Sequence, residues 1–115
     1  MSHAKDTATL LDIARAARLI EDFKGDLSKA AFLEDLKTQS AVLHQILIIG
    51  EAVKRLSSEF RARLITIPWP LMAGMRDTLI HEYDNVDLDE VWKTASVDIP
   101  ALLSALEPFL PTEED

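Results

Sequence analysis

At 115 residues the chain fits one domain, able to bury roughly two thirds of the surface its unfolded form exposes, and the absence of cysteine excludes disulfides and thiolate metal sites. Twelve Lys and Arg against twenty Asp and Glu give a formal net charge of -8, which argues against tight non-specific nucleic-acid binding through the overall field, because phosphate neutralisation supplies most of such affinity. The opening residues MSHAKDTATL lack the apolar core of a signal peptide, and the richest apolar run, Ile46 to Ile49, is too short to cross a bilayer. A soluble cytoplasmic protein with no membrane association is expected.

Leu10, Ile13, Ala17 and Ile20 recur at helical spacing, predicting a helix from about Asp6 to Lys24 that Gly25 ends. Arg15 and Arg18 fall on its wetter side. Asp26 or Ser28 can cap a short second helix through Leu36, with Phe32, Leu33 and Leu36 facing inward. The longest helix is expected from about Thr38 to Phe60, where Val42, Leu43, Ile46, Leu47, Ile48, Ile49, Val53 and Leu56 cover most of the circumference. A helix apolar on most sides is central to a bundle or part of an oligomer interface. Gly50 in its middle costs about 1 kcal/mol of helix propensity relative to alanine, which close approach of another backbone would offset. Glu51 either is solvated or pairs with Lys54 or Arg55 at helical spacing, or holds Arg76 or a backbone donor within the bundle. His44 reads as a packed or exposed histidine.

Ser57 to Thr66 reads as a loop, with Arg61 and Arg63 either solvated or rimming a phosphate-binding cleft. The stretch IPWPLMAGMRDTLIHEYD, from Ile67 to Asp84, follows. Pro70 fits the first turn of a helix, where its missing N–H is unpaired anyway, so the chain turns at Trp69 and runs helical from Pro70 to Asp84. At about 100° per residue, Met72, Leu79, Ile80 and Tyr83 share the side of Arg76, while Asp77, His81 and Asp84 cluster about 80 to 140° round. Either the arginine stem covers core, or its charge is held near another surface for a purpose. Asp87 with Glu90 reads as a capping box for a helix carrying Leu88, Val91 and Trp92. Asp98 is placed to cap the next helix, with Pro100 in its opening turn, Leu102, Leu103 and Leu106 buried, and Pro108 limiting it. The acidic end PTEED is expected to fray. No run alternates long enough to demand a strand, so residues 1–115 are expected to form a single all-α domain, a bundle of four or five main helices.

No metal-ligand constellation, glycine-rich phosphate loop or glycine-flanked nucleophile elbow is present, and no cofactor or metal is expected. An arginine and a histidine with a nearby tyrosine remain. Metal-free RNA cleavage needs a base for the 2′-OH proton, an acid for the departing 5′ oxygen and positive donors for the phosphorane. Histidine titrates near neutrality and serves either proton-transfer role. Arginine supplies a fixed bidentate fork for the phosphate.

The order of residues adds a family likeness. Arg76, His81 and Tyr83, preceded by Ile67-Pro68-Trp69, followed by Val91-Trp92, and with Gly50-Glu51-Ala52 upstream, resemble the HepT-like group of the HEPN superfamily, over nearly the whole chain from Leu10 to Leu106. The resemblance implies a HEPN-like helical bundle and a homodimeric endoribonuclease acting on RNA at a cleft between two subunits. There Arg76 would stabilise the phosphorane and His81 transfer a proton, supported by Tyr83, Asp77 and Glu51. It implies too the toxin role of a toxin–antitoxin pair, with a minimal nucleotidyltransferase (MNT-type) antitoxin that in some systems adds AMP to the tyrosine matched by Tyr83. AMP there would bring phosphate charge beside Arg76 and block entry of another phosphate. Asp77 departs from the family, which typically has asparagine at this place. Its carboxylate can orient the His81 imidazole or repel incoming phosphate. The alternative is a non-catalytic helical dimer or binding subunit partnering a nucleotidyltransferase, with Arg76 paired to an internal carboxylate.

Overall fold

Apolar spacing and side-chain caps together set where each helix starts and stops. A computed structural model describes residues 2–81 and 85–111, and among them every regular element is helical. Helix α1 spans Ser2–Lys24, α2 Lys29–Leu33, α3 Leu36–Arg55, α4 Ser58–Arg63, α5 Trp69–His81, α6 Leu88–Lys93 and α7 Ile99–Leu106. A π turn at Thr94–Asp98 joins α6 to α7, and a 3-10 turn at Glu107–Phe109 follows. The expected all-α, HEPN-like bundle is the fold. No helix among the described residues is long and apolar enough to cross a membrane.

Helix α1 buries Ile13, Ala17 and Ile20 completely and begins earlier than its apolar spacing requires. At 23 residues it exceeds the 20 of α3, so the expectation that the segment after Thr38 would be longest is corrected. Gly25 stops α1 in the left-handed region, φ 51°, and its N–H bonds to the Glu21 carbonyl at 2.8 Å. Ser28, not Asp26, caps α2 by accepting from the Ala31 N–H at 3.1 Å. Helix α2 is short because Asp35 starts a new helix, its two carboxylate oxygens accepting from the Thr38 N–H at 3.0 Å and the Thr38 hydroxyl at 2.8 Å. These bonds hold the Asp35 carboxyl below the usual carboxylate range. The break also corrects the expected inward face. Phe32 is fully buried, but Leu33 is exposed and Leu36, now on the first turn of α3, is 76% exposed.

Helix α3 ends at Arg55 rather than Phe60, because Ser57 caps a separate helix within the segment read as a loop. Its hydroxyl accepts from the Phe60 N–H at 3.1 Å. Asp6 of α1 completes the corner, accepting from the Ser57 N–H at 3.0 Å and the Ser57 hydroxyl at 2.7 Å. Phe60 meets Phe109 edge-on at 5.4 Å, and the Arg63 guanidinium lies over both rings, 5.9 and 5.7 Å from their centroids. The indole N–H of Trp69 then donates to the carbonyls of Arg61 and Leu64, both at 3.1 Å. These carbonyls at the end of α4 also accept the N–H groups of Leu64 and Ile67, so the indole ties the start of α5 to an already bonded turn. Helix α5 starts at Trp69, one residue before the expected Pro70, and its expected continuation to Asp84 lies outside the described residues.

Asp87 caps α6 as expected, accepting from the N–H groups of Asp89 at 3.0 Å and Glu90 at 3.4 Å. Asp98 makes no cap, which corrects the expected helix start. The chain stays helical through the π turn, placed just ahead of Pro100, whose ring would clash with the carbonyl four residues back in an ordinary turn. Asp98 faces Lys93 at 3.5 Å instead. Thr94, buried in the same turn, donates its hydroxyl to the Met75 sulfur at 3.2 Å and ties the turn to α5. Helix α3 packs between α1 and α5, and α7 closes over α1. The central placement expected for α3 is therefore met within one chain, with Leu47 and Ile48 left half-buried. Of the acidic end, residues 112–115 lie outside the described residues.

Candidate functional site at the seam of α3 and α5

Gly50 determines how close the two helices come. A Cβ there would overlap the Cβ of Arg76 and sit 2.9 Å from the Met72 carbonyl oxygen. The cost of a mid-helix glycine is thus matched by the close approach of α5. The helices run antiparallel, since Gly50 meets Met72 and Arg76 while Leu79 borders a hollow with Leu43, His44 and Leu47. Met72 and Leu79 are buried on the side of α5 facing α3. Arg76 shares that side and emerges at the seam with its side chain 27% exposed.

Two carboxylates face the guanidinium. Nη1 donates to Asp77 Oδ1 at 3.0 Å. Nε lies 3.9 Å from Glu51 Oε1, an ion-pair distance too long for a hydrogen bond, and this buried nitrogen has no hydrogen-bond partner among the described residues. Glu51 is 46% exposed, so it stays solvated while its carboxylate faces Arg76 at ion-pair distance. Lys54 and Arg55 are engaged elsewhere, Lys54 donating to Asp77 Oδ1 at 2.7 Å and Arg55 lying 3.7 Å from Asp12. The Asp77 carboxyl is held below the usual carboxylate range, first by the Lys54 bond and then by the Arg76 bond, with desolvation opposing both.

His81 stands exposed in the last turn of α5, one turn beyond Asp77. No hydrogen bond joins it to Asp77, whose Oδ1 accepts from both Lys54 and Arg76. The expected orienting role of Asp77 toward the imidazole is not the arrangement found. Tyr83 lies outside the described residues. Arg61 and Arg63 stand apart from the seam: the Arg63 guanidinium belongs to the Phe60–Phe109 pair, and Arg61 supplies a carbonyl to Trp69. His44 is exposed on α3.

The fold therefore assembles Glu51, Lys54, Arg76 and Asp77 around Gly50, with His81 one turn away. In the sequence Lys54 reads only as a partner for Glu51. The missed signal is its place one turn after Gly50, on the stripe that must face whatever the glycine admits. Chemically the seam offers two cations for an anion and an accessible imidazole for proton transfer, with two carboxylates balancing the charge. Among the described residues no three His, Asp or Glu side chains converge as metal ligands. A cleft of about 380 Å³ between α5 and α6, lined by Pro70, Gly74, Met75, Val86 and Val91 among others, includes neither Arg76 nor His81.

Comparison with known proteins bears on this geometry. The family model described as ribonuclease HepT-like matches residues 13–109, a span that includes all five seam residues. A protein of Thermococcus cleftensis described as a probable ribonuclease HepT is 47% identical over 98 residues, covering 85% of this chain and 89% of its own length. A candidate RNase of Caldanaerobacter subterraneus is 42% identical over 96 residues, covering 84% and 85%. A candidate RNase of Methanocaldococcus jannaschii is 36% identical over 103 residues, covering 90% and 85%. No solved structure matches the chain. With a helical bundle, a match that spans the seam, and relatives aligned over most of both lengths, the chain belongs to the ribonuclease HepT-like family.

Proposed function

We propose that the protein is a metal-independent endoribonuclease that cuts single-stranded RNA, and that it serves as the toxin of a toxin–antitoxin pair. The observation that carries this reading is the Gly50-enforced contact of α3 with α5, which holds the Arg76 guanidinium at a partly open seam while leaving His81 accessible on the same helix. The ribonuclease names of the relatives supply the reaction class. The RNA 2′ oxygen attacks phosphorus, the bond to the 5′ oxygen breaks, and Arg76 balances the charge on the phosphorane. An imidazole takes the 2′-OH proton and an imidazolium returns one to the leaving oxygen. Two facing subunits would supply both forms of His81.

The diagnostic experiment is incubation of a defined single-stranded RNA with the purified protein in EDTA. RNA fragments ending in 2′,3′-cyclic phosphate, with DNA of the same sequence intact, are expected. An uncut RNA would favour the second reading, a non-catalytic helical binding subunit. That reading has its own support, because Arg76 is already engaged by Asp77 and faces Glu51.

A homodimer is part of the proposal. Half-buried Leu47 and Ile48 and exposed Ile80 leave apolar surface on α3 and α5, and pairing two seams concentrates positive charge in an acidic chain. Light scattering at micromolar concentration should give twice the monomer mass; monomer mass would remove the dimer. The proposed antitoxin is an MNT-type nucleotidyltransferase that recognises the region around Tyr83 and transfers AMP to its phenol. Supporting this are the family membership and the place of Tyr83 two residues after His81. Co-expression followed by peptide mass spectrometry should show an AMP adduct on the Tyr83 peptide, and adduct only elsewhere would refute the assignment.

A further inference from the structure

Lys54 has no part in the reaction outlined above, yet it sits at the same seam on a rigid helix. Its Nζ lies 2.7 Å from Asp77 Oδ1, and Nη1 of Arg76 lies 3.0 Å from that same oxygen. One oxygen thus receives charged donors from two helices, which is the demand a non-bridging phosphate oxygen makes of its site. We propose that Lys54 is the second cation of the RNA phosphate site, and that Asp77 is an internal carboxylate occupying that site until RNA displaces it. The inference rests on the ribonuclease reading and adds to it a binding residue and a built-in competitor.

Three observations support it. The side chains of Lys54 and Asp77 are 42% and 50% exposed, so a phosphate can reach them, and ion pairs this open add little to stability and are readily exchanged. The spacing of the two cations is fixed from beneath, because Gly50 locks α3 against Arg76. Asp77 takes a single hydrogen bond from the Arg76 guanidinium, from Nη1 to Oδ1, so the internal carboxylate does not use the two-point fork that a phosphate can engage. Asp77 therefore fits the site incompletely, as a competitor that must be displaced would.

The test uses binding rather than cleavage. A fluorescent single-stranded RNA with 2′-O-methyl groups, which cannot be cut, is titrated at several salt concentrations against the wild-type chain and its variants. These are Lys54→Gln, Lys54→Arg, Asp77→Asn, the double variant carrying Lys54→Gln and Asp77→Asn, Arg76→Ala, and Arg18→Gln as an exposed cation on α1. Circular dichroism checks the fold of each. Asp77→Asn should bind at least about tenfold more tightly than wild type. Adding Lys54→Gln should cancel that gain and flatten the log–log salt slope by about 0.7, the share of one phosphate contact on a single strand. Lys54→Arg should keep the affinity, and Arg18→Gln should change nothing. If Lys54→Gln in the Asp77→Asn background leaves affinity and slope unaltered while Arg76→Ala abolishes binding, Lys54 is not part of the site and the ribonuclease reading survives. If Asp77→Asn binds no more tightly than wild type, Asp77 is no competitor. Absence of RNA binding by every variant would overturn both readings together.

Discussion

Gly50→Ala should destabilise the chain by about 3 kcal/mol, even though alanine is the better helix former by about 1 kcal/mol. The added Cβ overlaps the Arg76 Cβ and presses to 2.9 Å from the Met72 carbonyl oxygen. Both atoms are tied to the backbone of α5, so no side-chain rotation relieves the contact and α5 must move off α3. The matched control is Gly74→Ala, where a Cβ meets nothing within 4 Å. That substitution should gain about 1 kcal/mol from helix propensity alone. Urea unfolding of the two variants should shift the midpoints in opposite directions. A Gly50→Ala chain as stable as wild type would mean that the two helices are not locked at the glycine, and the geometry proposed for Arg76 would lose its support.

Much of this arrangement is legible in the sequence, because it depends on local chemistry. Gly25, Ser28 and Asp87 end or cap helices through their own backbone or side chains, and Gly50 announces a close neighbour by its cost. The features that escaped are long-range or arise from competition between signals. Asp35 splits what reads as one short helix because it bonds twice to Thr38, and Leu36 is turned outward as a result. Ser57 ends α3 early because Asp6 arrives from the other end of the chain to bond it, which no local pattern announces. At the site, the angular position of Arg76 beside Met72 and Leu79 correctly puts it on the packed side of α5. The fate of Asp77 was not legible, since spacing along α5 points to His81 while the stronger partner, Lys54, comes from another helix. The same limitation left Lys54 unassigned.

The largest effects on activity should come from His81 and Arg76. His81→Ala should leave the fold intact, since the imidazole is exposed at the end of α5, and lower cleavage by about 10²–10⁴, the usual weight of a positioned general acid or base. Arg76→Ala should lower it by about 10²–10³, as loss of one donor to a developing oxyanion does. It should also cost some stability, because the arginine stem rises beside buried Met72 and Leu79. The most direct measurement is single-turnover cleavage of one defined RNA in EDTA by wild type, Arg76→Ala and His81→Ala, each purified identically and checked for helicity. The account predicts cutting by wild type and at least about a hundredfold slower cutting by both variants; equal rates for all three would contradict it.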